Sequence, residues 1–256
     1  MLETLLKGKR GLIVGIANEH SIAAGCGAAL RAAGADLAVT YGHEKSLPYI
    51  EPVATALEAP IFLPLDVQVE GQMEAVFEEI TQKWGQLDFV LHSIAYCPKE
   101  DLHGPVSECS KDGFAQAMDI SVHSLIRMTR LAAPLMTHGG SIVTMSYYGA
   151  EKVVDHYNIM GPVKSALEGT VRYLAAELGP KQIRVNAISP GPLQTRAGSG
   201  IDHFDELIES ARLRAPEQSL VSIEDVGHMA VGLVSDLSRK VTGNIAFVDG
   251  GYHVRA

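Results

Sequence analysis

Seven short runs of β-forming apolar residues, separated by longer stretches of helical period, recur along the 256 residues of this chain. The runs are Gly11–Gly15, Asp36–Tyr41, Ile61–Leu65, Asp88–His92, Ser141–Ser146, Ile183–Ile188 and Asn244–Val248. Helical stretches between them include Ser21–Ala33, Gln72–Trp84, Phe114–Met136, Ser165–Leu178 and Glu224–Leu237. Within Phe114–Met136, the residues Phe114, Met118, Val122, Leu125 and Ile126 recur at steps of three or four and are expected to share a face. Strand–helix alternation over the whole length means parallel strands joined by crossover helices, with helices on both faces of the sheet. Seven strands are too few for a barrel of eight strand–helix units. The expectation is therefore one α/β domain over residues 1–256, a doubly wound, parallel, seven-stranded sheet that binds ligands at the carboxyl ends of its strands. Chemistry belongs in the loops after Val14, Tyr41, Leu65, His92, Ser146 and Ile188.

Bulk properties remove several partners. Lys and Arg number 21 against 30 Asp and Glu, a formal net charge of −9. Nucleic acid and anionic membranes both select a cationic footprint, so neither is expected. A small anionic cofactor stays open, because local backbone dipoles rather than net charge hold it. The three cysteines, Cys26, Cys97 and Cys109, are scattered without metal-ligand spacing. An odd, sparse count argues against a disulfide framework, gives no metal site and fits a reducing compartment. No apolar run approaches the roughly 20 residues that span a bilayer. Met1-Leu2-Glu3-Thr4 lacks the basic-then-apolar layout of a secretory signal. A cytoplasmic location is expected.

The first turn runs from an apolar strand into Gly15, through a short polar loop, to a helix that Ser21 could cap. Unpaired N–H groups and the positive dipole end of such a helix suit a pyrophosphate. The segment is not G-x-G-x-x-G, and an ordinary strand-to-helix turn reads equally well. Asp66 follows the third strand, where its carboxylate could accept from an adenine amino group or simply cap a turn. His92-Ser93-Ile94-Ala95 ends the fourth strand with small residues that let backbone approach a ribose. An acid at the end of the second strand would favour a free ribose 2′-hydroxyl. The chain gives Thr40-Tyr41-Gly42-His43-Glu44-Lys45 instead, where His43 and Lys45 could meet a 2′-phosphate or stay solvated. NADH versus NADPH is open at this level.

The strongest chemical candidates follow the fifth strand: Ser146-Tyr147-Tyr148, then Tyr157, then Lys164 seven residues on. On a helix that gap puts two side chains nearly on one face, about 10.5 Å apart along the axis. A phenol has a reference pKa of about 10, and a nearby ammonium is expected to lower it by roughly 1–3 units. Such a pair can stabilise or protonate an oxyanion. Pro162 tolerates only a helix's first turn, so the regular helix is expected to start near Gly161 with Tyr157 on an irregular lead-in. The competing reading is a packed Tyr and a solvated Lys.

Asn186-Ala187-Ile188-Ser189-Pro190-Gly191-Pro192 and Val248-Asp249-Gly250-Gly251 resemble the Rossmann-like short-chain dehydrogenase/reductase superfamily. Most members space Tyr and Lys four apart, whereas Met160 stands four before Lys164. The wider gap, together with Ser146-Tyr147-Tyr148-Gly149-Ala150-Glu151, is similar to the divergent branch of enoyl-acyl-carrier-protein reductases of bacterial fatty acid synthesis. The likeness runs from Gly11 to Gly251. It implies that Tyr157 binds a thioester carbonyl oxygen, that Lys164 binds the nicotinamide ribose, and that Tyr147 supports the substrate. It implies cofactor contacts at Gly15, Ser21, Ile22, Asp66, Val67, Ser93, Ile94, Leu193, Gln194, Thr195, Arg196 and Ala197, and a substrate-side backbone contact at Cys97.

The reaction so implied is hydride transfer from NADH, with NADPH as the alternative, to the β-carbon of a trans-2-enoyl thioester on acyl carrier protein or CoA. A homotetramer and a substrate lid at about 193–215 are implied as well. Asp202, Asp205 and Glu206 depart from the basic residues of relatives at that lid and oppose docking of an acidic carrier, although Arg212 and Arg214 could compensate. The rivals are another short-chain reductase, such as a 3-ketoacyl-thioester reductase, and a non-enzymatic nicotinamide sensor.

Overall fold

The first strand, β1 (Arg10–Val14), sends Leu12 and Val14 into one core and Ile13 into another, as a strand covered on both faces must. A computed structural model describes residues 4–195 and 204–255. Six more strands join β1: β2 (Asp36–Tyr41), β3 (Ile61–Pro64), β4 (Phe89–His92), β5 (Gly140–Met145), β6 (Ile183–Pro190) and β7 (Ile245–Val248). All pair in parallel, in the order β3-β2-β1-β4-β5-β6-β7. The doubly wound expectation is met. The winding reverses between β1 and β4, and a crevice opens there at the carboxyl ends of the strands.

One face of the sheet carries α1 (Ile22–Ala32), α2 (Leu47–Ala56) and α9 (Ile223–Val234), whose buried residues join Ile13, Leu37, Val39, Leu91, Val143 and Ile188. Helices α1 and α9 cross at glycines: a Cβ on Gly25 would lie 2.6 Å from Ile223, and one on Gly227 would lie 2.7 Å from the Gly25 carbonyl. The other face carries α3 (Gln72–Trp84), α5 (Lys111–Met118), α6 (Ser124–Ala132) and α7 (Met160–Leu178). Short α4 (Lys99–His103) lies in the connection after β4, and α8 (Phe204–Arg214) precedes α9. The sequence reading did not pick out α2. Its two prolines obscure the helical pattern, Pro48 sitting in the first turn, where it is tolerated, and Pro52 inside the helix.

The single helix expected over Phe114–Met136 is instead α5, one π turn at Asp119–His123, α6, and a 3-10 turn at Ala133–Leu135. Ser124 Oγ donates to the Ile120 carbonyl at 2.6 Å and Ser121 Oγ accepts from the Tyr96 N–H, so side chains share the backbone's hydrogen bonds here. The wider turn rotates the two helices' faces relative to each other. Val122 and Leu125 are buried, but Phe114 is 44% and Ile126 40% exposed, so the five-residue stripe does not lie on one face. At α9 the expected Glu224–Leu237 ends early, at Val234, and a 3-10 turn follows at Asp236–Ser238.

Candidate active site

Past the end of β5 the chain stays extended through Tyr147 and then turns at Tyr148–Ala150. Tyr157 lies in the turn before α7, between His156 and Asn158, both with left-handed backbone (φ 65 and 43). Asn158 tolerates that conformation well, and its Nδ2 donates to the Leu102 carbonyl at 2.7 Å, which ties the turn to α4. The helix starts at Met160, close to the expected Gly161, and Tyr157 is on its lead-in as Pro162 requires. Gly149 leaves the room that the Tyr157 ring occupies, since a Cβ there would meet its Cδ1 at 2.5 Å. Tyr147 packs edge-on to Tyr157 with ring centroids 4.8 Å apart. Its hydroxyl is buried and has no hydrogen-bond partner among the described residues.

Lys164, one turn into α7, is only 5% exposed, and its Nζ donates to the Met145 carbonyl at 2.6 Å. Burial pulls the Lys164 ammonium down to about 8, against an opposing pull from Glu168. The expectation that it lowers the Tyr157 phenol is not met. Burial pushes that phenol well above its ordinary value, and Tyr147 adds to the shift. Desolvation wins because a phenolate inside the core would lose its hydration, while the ammonium is anchored on a carbonyl of β5. Tyr157 therefore holds its proton and acts as an O–H donor. Burial raises Tyr147 likewise.

At the switch crevice, Ser93 N donates to the Val14 carbonyl at 2.9 Å. Gly15 has φ +110, and a Cβ there would lie 2.0 Å from the Ser93 carbonyl oxygen. Only glycine lets the two loops meet this closely. Ser21 occupies the N-cap position of α1 but does not cap it. Its Oγ donates to the Asn18 carbonyl at 2.7 Å and accepts from the Ala17 N–H, so the first turn of α1 has no side-chain cap. Ile22 is half-buried behind it. After β3, Asp66 Oδ1 accepts from the Gln68 N–H at 2.9 Å, a turn cap that leaves Oδ2 available to a ligand. Buried Val67 offers its carbonyl to Arg127 of α6. A helix end without a cap, a glycine-only crevice and a carboxylate oxygen with spare capacity together fit a dinucleotide's pyrophosphate, ribose and adenine.

Comparison with known proteins agrees with this geometry. The family described as enoyl-(acyl carrier protein) reductase matches residues 15–253. The chain belongs to the enoyl-(acyl carrier protein) reductase family. A protein of Rhizobium meliloti (strain 1021) named enoyl-[acyl-carrier-protein] reductase [NADH] 1 is 48% identical over 249 residues, 97% of this chain and 92% of that protein. The Anaplasma phagocytophilum reductase, solved in complex with NAD, superposes with a TM-score of 0.94 at 44% identity, covering 98% of this chain and 95% of that one. The Bacillus cereus enoyl-acyl carrier protein reductase, solved with NADP+ and indole naphthyridinone, gives 0.95 at 42% identity, covering 98% and 99%.

Within this reductase family fold, Tyr147, Tyr157 and Lys164 share one end of β5 and α7, while Gly15, Ser93 and Ile94 line the neighbouring loop ends. Ser21, Ile22, Asp66 and Val67 stand after β1 and β3 as expected. Leu193 is buried, Gln194 exposed and Thr195 half-buried; Arg196 and Ala197 lie outside the described residues, as does Asp202. Cys97 is half-buried in the loop after β4, where burial, with Asp101 and Cys109 adding, pushes its thiol up to about 11. After β2, His43 Nδ1 accepts from the Ser46 N–H, and Lys45 is exposed. Helix α8 sets Asp205 and Glu206 in its first turn, and Arg212 is engaged by Glu209.

Two buried polar groups escaped the sequence reading. Glu168, on α7, accepts at Oε1 from Ser146 Oγ at 2.6 Å. His92 lies between Thr144 Oγ1 (2.9 Å) and Ser124 Oγ (2.8 Å). Ser124 spends its one proton on Ile120, so His92 Nε2 carries the hydrogen and Nδ1 accepts from Thr144. Burial holds His92 neutral, down at about 3, with the charge on Lys164 adding to the effect. The Lys164–Glu168 spacing of four was visible, but a carboxylate on a helix reads by default as solvated.

Proposed function

We propose that the protein reduces the carbon–carbon double bond of trans-2-enoyl thioesters, with NADH as the favoured reductant and NADPH as the alternative. The observation that carries the reading is the buried Tyr147–Tyr157–Lys164 group beside a glycine-only crevice, in a chain belonging to this family from end to end. A bound reduced nicotinamide would supply the hydride for the substrate β-carbon, and the enolate so formed takes a proton from water at its α-carbon. Tyr157, kept protonated by burial, donates a hydrogen bond to the thioester carbonyl oxygen, where negative charge grows; a donor fixed in advance in a dry site is worth most there. The Lys164 ammonium holds the nicotinamide ribose and adds positive potential behind the oxyanion. Tyr147 walls the substrate and offers its unpartnered hydroxyl, and the Cys97 backbone lines the acyl side.

Gly15, Ser21, Ile22, Asp66, Val67, Ser93, Ile94 and residues 193–197 make up the cofactor cradle, with residues 193–215 as the lid of a single domain. Exposed Ile126 lines a groove of about 410 Å³ together with Met118, Asp119, Val122, His123, Ala166 and Thr170. Apolar surface there supports assembly, and a homotetramer is our reading. Free thiols at Cys26, Cys97 and Cys109 suit the reducing cytoplasm.

The test is NADH and NADPH oxidation with crotonyl and acetoacetyl thioesters, each on acyl carrier protein and on CoA. Reduction of the crotonyl substrates is expected. Oxidation of cofactor with the acetoacetyl substrates alone would overturn the reading in favour of a 3-ketoacyl-thioester reductase, and no oxidation with any of them would leave a nicotinamide sensor. The acidic first turn of α8 makes the carrier comparison informative, since Asp205 and Glu206 would repel an acidic carrier.

A further inference from the structure

Beside Lys164 lies a buried carboxyl group that the reaction as described does not use. Glu168 is 4% exposed, a carboxylate inside the core, one helical turn beyond Lys164 on α7. It is held from the sheet side by Ser146 Oγ at 2.6 Å, and Ser146 N in turn donates to the Ile188 carbonyl at 2.7 Å. Met145, the residue before Ser146, gives its carbonyl to Lys164 Nζ. Adjacent residues at the end of β5 thus hold the cation and the anion separately. A buried carboxylate is expensive to keep charged unless hydrogen bonds and cations compensate it, so its presence here needs a reason.

We propose that Glu168 acts on the reaction through Lys164: its buried carboxylate, fixed by Ser146 one helical turn from Lys164, keeps that ammonium charged to receive the cofactor ribose. The proposal rests on the reading of Lys164 as the ribose-binding cation. Two titratable groups bear on Lys164 itself: His92, from β4, is neutral, and Glu168 is the acid. Burial pushes the Glu168 carboxyl above its ordinary value and Glu151 after β5 adds to this, while the Ser146 hydroxyl, Arg172 further along α7 and Lys164 work against it by favouring the charged form. Burial moves Lys164 down to about 8 and Glu168 works against that movement. Without the carboxylate's charge, Lys164 loses its proton at lower pH, where its hold on the ribose fails.

The experiment is fluorescence titration of NADH from pH 6.5 to 9.5 with wild type, Glu168→Gln, Glu168→Asp and Lys164→Ala. Wild type should bind tightly up to about pH 8 and weaken above it. Glu168→Gln keeps the volume and an acceptor for Ser146, and its loss of affinity should set in about one pH unit lower, a tenfold change in the ionisation constant. Glu168→Asp, with the charge withdrawn by one methylene, should fall between them and decides alone if the glutamine variant does not fold. Profiles that coincide with wild type, or a loss of affinity equal at every pH, would overturn the proposal and leave Glu168 a structural role. Lys164→Ala separates the two levels: should it bind NADH like wild type at pH 7, the reading of Lys164 fails first.

Discussion

The two halves of the site are built on different principles. On the β1–β4 side the working surface is backbone: a glycine that admits no Cβ, a helix end without a cap, and a carboxylate engaged in a turn with one oxygen to spare. On the β5–α7 side it is side chains taken out of water, with a phenol pushed up, an amine pulled down and a carboxylate held by Ser146 one helical turn beyond the amine. The first kind of site recognises a shape through geometry that is already in place. The second sets protonation states through desolvation, and its chemistry exists only because the surrounding core is dry.

The contrast predicts that substitutions on the first side act on cofactor affinity alone, while those on the second reach the chemistry. The largest effect should come from Gly15→Ala, because the added Cβ meets the Ser93 carbonyl oxygen and the φ of +110 disfavours any L side chain by roughly 1–3 kcal/mol. NADH affinity should fall at least about 100-fold in a fluorescence titration. Retained affinity would show that the crevice is not the cofactor path. Lys164→Ala should follow, with NADH bound about 10–50-fold more weakly and turnover reduced as well, since it removes a charge-assisted donor worth about 1.5–3 kcal/mol. A loss confined to turnover would place the amine with the substrate instead of the ribose. The smallest effect is expected for Asp66→Asn, which keeps the turn cap through Oδ1 but loses an acceptor. KM for NADH should rise about fivefold at unchanged kcat, and a change in kcat would blur the division between the halves.

The same division explains what the sequence disclosed. Strand–helix alternation fixed the parallel sheet, and strand positions came out within a residue or two, because a two-face buried strand cannot hide its apolar run. The turns at Gly15 and Asp66 were legible for a related reason, since turn chemistry is local and written in neighbouring residues, whereas Ser21, expected to cap α1, turns back to Asn18 instead. Tyr157 and Lys164 could be paired from spacing and Pro162, but not their ionisation. The sequence reading set the ammonium against the phenol and left out burial, which turned out to be the larger influence. Glu168 and His92 were invisible as buried groups, since their partners Ser146, Thr144 and Ser124 arrive from other elements. Phe114 and Ile126 misled because one π turn, set by serine hydroxyls, broke the helical period between them.

The central claim is that the Tyr157 phenol donates to the substrate carbonyl as charge develops there. Single-turnover oxidation of NADH by crotonyl thioester, compared between wild type and Tyr157→Phe, addresses it most directly, because the substitution removes one oxygen and leaves the packing against Tyr147 in place. The rate should fall at least about tenfold while NADH affinity, measured on the same samples, stays unchanged. A rate within about twofold of wild type would contradict the claim.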